Sequence, residues 1–160
     1  MDLGVMLTQE RTDTMVGVGA WPNKIILDYL DATLAQDPEL PAITDYNGET
    51  GQSTSISYGQ LDRLSRRLGL ALINYGIEVG DVVSLQLPNW WQFIAMHLAC
   101  ARIGAITNPL MPIFRERELT YMLGFAESKV MIAPDRFRGF EYKPMMEGIR
   151  GELPHLAHIF

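Results

Sequence analysis

Five groupings of reactive side chains stand at spacings that chemistry could use, and each has an ordinary structural reading beside it. His97 and Cys100 lie three apart, which places two metal ligands on one helix face. The segment around them is so apolar that a buried structural pair is the better reading. His155 and His158 repeat the spacing with no carboxylate or cysteine nearby in sequence to complete a ligand set. Gly17-Val18-Gly19-Ala20-Trp21-Pro22 begins like a dinucleotide loop, yet it follows no strand and carries Pro22 where the third glycine belongs, so no nucleotide role is assigned to it. Trp90-Trp91 can stack on a ligand or pack into a core, with one ring at a domain contact. Arg63, Arg66 and Arg67 read as a solvated helix face. No phosphate-cradling loop, nucleophile elbow or Tyr-x-x-x-Lys pair is present, so the 160 residues hold no catalytic or metal-binding constellation.

The elements that would position these side chains are clearest from Gly80 to Leu110. Val82–Leu87 is apolar apart from Ser84 and Gln86, as in a strand covered on both faces, and Pro88 stops it. Asn89 can cap a helix, with Gln92 three residues on to complete a capping box. Trp90–Ile103 is apolar on nearly every face and predicts a buried helix ended by Gly104. Ala105–Asn108 reads as a second strand closed by Pro109. A helical connection makes the two strands parallel, with a right-handed crossover.

Around this unit, residues 1–21 show no sustained periodicity and read as an N-terminal arm, with 22–160 forming one domain. Lys24–Ala35 predicts an amphipathic helix with Ile26, Leu27, Leu30 and Leu34 on one stripe. Ala42–Tyr46 and Ser53–Ser57 flank Asn47-Gly48, a hairpin signal. Ser57 and Gln60 form a capping box for a helix running to Tyr75, which Gly76 ends. Glu116–Phe125 predicts a helix, Lys129–Ala133 a strand, Tyr142–Arg150 a short helix, and His158-Ile159-Phe160 the opening of another strand. The net charge of −6 argues against nucleic acid or an anionic membrane as a partner. One cysteine excludes an internal disulfide framework and fits the reducing cytoplasm. No apolar run reaches the ~20 residues of a spanning helix, and no signal peptide is seen.

The motifs, in order and spacing, resemble the N-terminal region of the adenylate-forming (AMP-binding) enzymes: acyl-CoA synthetases, luciferases and peptide-synthetase adenylation domains. They are Ile56-Ser57-Tyr58-Gly59-Gln60-Leu61, Gly80-Asp81-Val82-Val83, Pro88-Asn89 with Phe93, and Ala101-Arg102-Ile103-Gly104-Ala105 with Pro109-Leu110. The likeness runs from about Ile26 to the end of the chain. Met111-Pro112-Ile113-Phe114-Arg115-Glu116-Arg117-Glu118-Leu119 and Phe137-Arg138-Gly139-Phe140 are most similar to bacterial short-chain fatty acid and cyclohexanecarboxylate–CoA ligases.

The resemblance implies an α/β fold: a three-layer, Rossmann-like parallel sheet flanked by helices, with an N-terminal β-hairpin, forming the first subdomain of the adenylate-forming fold and truncated at its C-terminal end. It implies an ATP-dependent, AMP-forming acid–CoA ligase that uses Mg²⁺, takes a small carboxylic acid and pairs with the rest of the enzyme chain; a homodimer is compatible. The family's phosphate loop, acidic Mg²⁺ residue, ribose-binding aspartate and C-terminal lysine match nothing here, so this chain is expected to be a scaffold, inactive alone and binding no cofactor tightly. By the same resemblance Arg138 corresponds to an arginine on the CoA nucleotide phosphates, a contact suited to its two-pronged fork. The alternative for it is a solvated loop arginine. Met111, Pro112 and Ile113 fall near the pantetheine channel, where this chain departs from the Phe-Gly-Gly of the acetyl enzymes. The rival functions are an adenylation domain that loads a carrier protein and a non-catalytic interaction module.

Overall fold

The computed structural model describes residues 8–160. Helix α1 (Gln9–Gly17) leads to α2 (Ile26–Gln36), followed by the antiparallel hairpin of β1 (Pro41–Asn47) and β2 (Gln52–Ser57). Helix α3 (Tyr58–Asn74) opens on the predicted capping box: the Gln60 N–H donates to Ser57 Oγ at 3.3 Å and the Ser57 N–H to Gln60 Oε1 at 2.9 Å. Then come β3 (Val82–Leu85), α4 (Trp91–Ile103), β4 (Ile106–Pro109), α5 (Glu116–Phe125) and β5 (Val130–Ile132). A small hairpin, β6 (Arg136–Phe137) and β7 (Phe140–Glu141), precedes α6 (Tyr142–Ile149) and β8 (His158–Ile159).

Four strands form one parallel sheet in the order β4-β3-β5-β8. Strand alternation sends successive side chains to opposite faces, and the core divides accordingly. Val83, Leu85 and Val130 pack with Leu72 of α3 and with Ala99 and Cys100 of α4. On the other face Met131 packs with Leu119 and Leu123 of α5 and with Met145, Met146 and Ile149 of α6. This is the expected three-layer α/β arrangement. A third cluster, with Leu30, Ile56, Leu61 and Leu98, joins α2 and the β1–β2 hairpin to the outer side of α3 and α4.

Three local expectations are corrected. The arm contains α1, which is defined by its cap rather than by an apolar stripe: Thr8 Oγ1 accepts from the Arg11 N–H at 3.2 Å, and no residue of the helix is buried. Residues 1–7 of the arm lie outside the described residues. Asn89 does not cap α4. Trp90 occupies the N-cap position, and the Trp91 N–H donates across the fold to Asp45 Oδ2 of β1 at 3.1 Å. A tertiary carboxylate has displaced the local amide, and it also suits the positive end of the helix. Finally, the sequence reading has no counterpart to β6–β7, whose turn is Arg138-Gly139 in place of the usual Asn-Gly.

Candidate functional site

The strand order locates a crevice without reference to any side chain. Strand β3 connects through α4 to β4 on one side of it, while β5 connects through α6 to β8 on the other. Loops leaving the carboxyl ends of β3 and β5 therefore part, and open α/β sheets hold ligands at such a point. A cleft of about 360 Å³ lies there. Leu87, Pro88 and Asn89 come to it from the end of β3, Pro112, Ile113 and Arg115 from the loop after β4, Phe137 and Arg138 from β6–β7, and Tyr142 from α6. Two guanidinium groups and no carboxylate line this cleft.

Three of the four residues singled out in the sequence meet at the cleft: Pro112, Ile113 and Arg138. Met111 does not line it; its side chain is exposed, while its carbonyl accepts from Gln86 Nε2 at 3.0 Å. Arg138 sits at the turn of β6–β7 with φ +50°, followed by Gly139 at +75°. A two-residue hairpin with positive φ at both centres matches the twist of its strands, and glycine accepts that geometry freely, whereas arginine is strained there. The strained backbone is held from outside the sheet, because the Arg138 N–H donates to the Glu49 carboxylate in the β1–β2 turn. The guanidinium itself lies 5.2 Å from the Phe137 ring centroid and forms no ion pair among the described residues.

Sequence reasoning missed the residues that hold the cleft floor. Fully buried Gln86, one residue past β3, donates from Nε2 to the carbonyls of Met111 and Phe114, both at 3.0 Å. Both neighbours are acceptors only, which fixes the amide nitrogen on that side. Arg115 Nη1 donates to the carbonyls of Pro112 and Phe114, each at 2.8 Å, and the Tyr142 hydroxyl donates to the Pro112 carbonyl at 2.8 Å. The loop between β4 and α5 is thus pinned at three carbonyls, those of Met111, Pro112 and Phe114. Gln86 was legible only as a polar interruption of an apolar strand. Arg115 carried one further signal, an arginine where a helix N-cap usually has Ser, Thr, Asp or Asn.

The remaining reactive groups take structural roles. His97 Nδ1 lies 3.0 Å from Thr107 Oγ1, and burial pushes the Cys100 thiol up, which keeps it protonated. His158 Nε2 lies 3.1 Å from the Tyr75 carbonyl, with its ring edge-on to Tyr75. Arg66 pairs with Asp62 along α3 at 3.0 Å. Trp90 packs edge-on against Phe137, with ring centroids 5.7 Å apart, at the lip of the cleft. Among the described residues no three His, Cys, Asp or Glu side chains converge as a metal site requires.

Comparison with known proteins matches this architecture to a family. Residues 30–159 match the family described as AMP-binding enzyme. The chain is 30% identical over 159 residues to the medium-chain fatty-acid–CoA ligase of Escherichia coli K12, covering 99% of this chain and 27% of that one. It is 33% identical over 150 residues to the 2,3-dihydroxybenzoate-AMP ligase of Bacillus subtilis 168, covering 94% of this chain and 27% of that one. Among solved structures, the anthranilate CoA ligase AuaEII in complex with anthranoyl-AMP superposes with a TM-score of 0.70 at 23% identity, over 83% of this chain and 24% of that one. The chain spans about a quarter of the length of the relatives it matches. With a family match that takes in the sheet, its covering helices and the cleft, the chain belongs to the AMP-binding enzyme family.

Proposed function

We propose that this chain forms the acceptor-side wall of an AMP-forming acid–CoA ligase. The observation that carries the reading is the cleft at the carboxyl ends of β3, β4 and β5, which has two arginines and no carboxylate in its lining. In the reaction a carboxylate oxygen attacks the α-phosphorus of ATP and pyrophosphate leaves, giving the acyl-adenylate. The CoA thiolate then attacks the acyl carbon and AMP leaves. The groups of this chain serve the second step. Arg138 contacts the nucleotide phosphates of CoA, while Pro112 and Ile113 line the pantetheine arm and Met111 lies beside them at the rim. Mg²⁺ belongs with ATP in the first step, whose groups the rest of the enzyme supplies. The substrates of the whole protein are then a small carboxylic acid, ATP and CoA; the rest of the enzyme is this domain's packing partner, and the cytoplasm its compartment. No described helix is long and apolar enough to cross a membrane.

Family resemblance alone leaves the acceptor open, because one similar protein carries the name salicyl-AMP ligase / salicyl-S-ArCP synthetase. The paired arginines favour CoA, whose nucleotide brings several phosphate charges, over a carrier-bound pantetheine arm that brings one. The test is Arg138→Ala in the full-length protein. Losing a charge-assisted contact is expected to raise the KM for CoA about tenfold or more, while ATP–pyrophosphate exchange stays at the wild-type rate. An unchanged KM for CoA removes Arg138 from the acceptor site.

A further inference from the structure

We infer that Arg115 is a second phosphate-contacting residue of the acceptor cleft, standing beside Arg138; this rests on the reading of the cleft as a CoA site. Three observations support it. The guanidinium is held in one orientation, by the Nη1 bonds to the Pro112 and Phe114 carbonyls at 2.8 Å and by the Phe140 ring, whose centroid is 3.8 Å from Cζ. A cation fixed over an aromatic face loses little rotamer freedom when an anion binds it. Secondly, its charge is uncompensated. Nε and Nη2 make no hydrogen bond among the described residues, and the guanidinium forms no ion pair there. Glu118, the nearest acidic residue in sequence along α5 after Glu116, spends its carboxylate on the Arg115 backbone N–H at 3.2 Å. Glu49 holds the backbone of Arg138 from the adjoining cleft around Tyr46 and Trp90, which shares Pro88, Asn89, Phe137 and Arg138 with this one, and forms no ion pair with Arg115.

The third observation is positional. Arg115 takes the N-cap position of α5, where its side chain makes no cap hydrogen bond. An arginine there forgoes the local stabilisation that a hydroxyl or carboxylate would give the helix. It delivers instead a half-buried, oriented cation to the cleft wall facing the β6–β7 hairpin. The unused edge of a guanidinium presents two parallel N–H groups, the geometry of a phosphate. Arg115 and Arg138 thus divide the work. The first is fixed and partly buried; the second is exposed at the tip of a turn.

The experiment compares CoA with pantetheine, which has no phosphate, as acceptors for the full-length protein. Arg115→Gln removes the charge but keeps an amide that can still donate to the loop carbonyls. It is expected to raise the KM for CoA about tenfold, the scale of one hydrogen bond to a charged group, with the KM for pantetheine and the rate of ATP–pyrophosphate exchange unchanged. Equal rises for both acceptors would make Arg115 a loop support only and overturn the inference, as would no rise for either. Arg115→Lys keeps a cation on Phe140 and is read in the same way if the glutamine variant does not fold: a smaller rise, confined to CoA, supports the inference, and equal effects on the two acceptors overturn it. A wild type that uses pantetheine as well as CoA, or uses neither, sinks the CoA reading itself. A wild type that prefers CoA, with an Arg115→Gln variant that keeps the whole preference, sinks the Arg115 assignment alone.

Discussion

The carboxamide of Gln86 donates both of its N–H groups to backbone carbonyls that lie 25 and 28 residues further along the chain. Only an uncharged amide with two hydrogens does this without bringing a charge into a fully buried position. Gln86→Leu keeps approximate volume and removes both donors, leaving the Met111 carbonyl without its partner and Phe114 with Arg115 alone. Two lost bonds, one of them orphaning a carbonyl, should cost about 2 kcal/mol, read as a lower urea midpoint with an unchanged slope. Gln86→Glu should cost at least as much, because a buried carboxylate would face two carbonyl oxygens. A stability equal to wild type for both variants would show that the loop is held without Gln86. The sequence marks this residue only as polar relief in an apolar run, since its partners are set by how the β4–α5 loop folds back over the end of β3.

Helix α4 shows what was legible at the scale of elements and what was not. Its terminator is a local matter: Gly104 takes φ +74°, and a Cβ there would meet Val79 Cγ1 at 3.1 Å, so the glycine in the sequence marks the end of the helix correctly. Its start is not local. Asn89 and Gln92 have the spacing of a capping box, yet the helix begins at Trp91 under a carboxylate from β1. Periodicity reports which face of a segment is apolar, and caps report its ends, but neither reports a partner that arrives from 46 residues away. The same limit hid β6–β7. Arg138-Gly139 lacks the Asn or Asp that announces such a turn, and its geometry is supported by Glu49 from the other hairpin. The long strands and helices were legible because burial on a fixed face imposes a period on the sequence; the cleft was legible only through family resemblance. Asp45→Ala should weaken the start of α4 by about 1 kcal/mol, while Asp45→Asn should keep most of that stability through its amide oxygen. Urea denaturation monitored by tryptophan fluorescence measures both. Equal loss in the two variants would mean that the charge, and not the cap, is what stabilises α4.

Across the whole molecule the parallel sheet sets an ion pair and the cleft at its two opposite ends. The cleft and its arginines occupy the carboxyl ends of the strands. The amino ends carry the ion pair between Asp81, just before β3, and Lys129, just before β5, at 2.7 Å. Burial pushes the Asp81 carboxyl up, but the Lys129 ammonium and the Glu78 backbone N–H, donating at 2.8 Å, together outweigh it and hold the group below its usual range. The Asp81 hydrogen bond in turn raises Lys129 above its usual value, against a smaller opposing effect of burial. For Asp81, a folded value below the unfolded one means that the ion pair contributes fully above the ordinary carboxylate pKa of about 4 and is lost as pH falls through the depressed value. For Lys129 the contribution is complete below the ordinary lysine value of about 10.4 and is lost as pH rises through the raised one. The pair therefore supports the fold between these limits and fails on both sides. Replacing Lys129 with Met leaves Asp81 without its cation, so its carboxyl should protonate at higher pH and the acid-unfolding midpoint should move upward. Because the pair sits at the opposite end of the sheet from Arg115 and Arg138, the same variant should leave the KM for CoA of the full-length protein unchanged at neutral pH. A shift in that KM comparable to the effect of Arg138→Ala would show that the two ends of the sheet are coupled and that stability cannot be altered independently of the cleft.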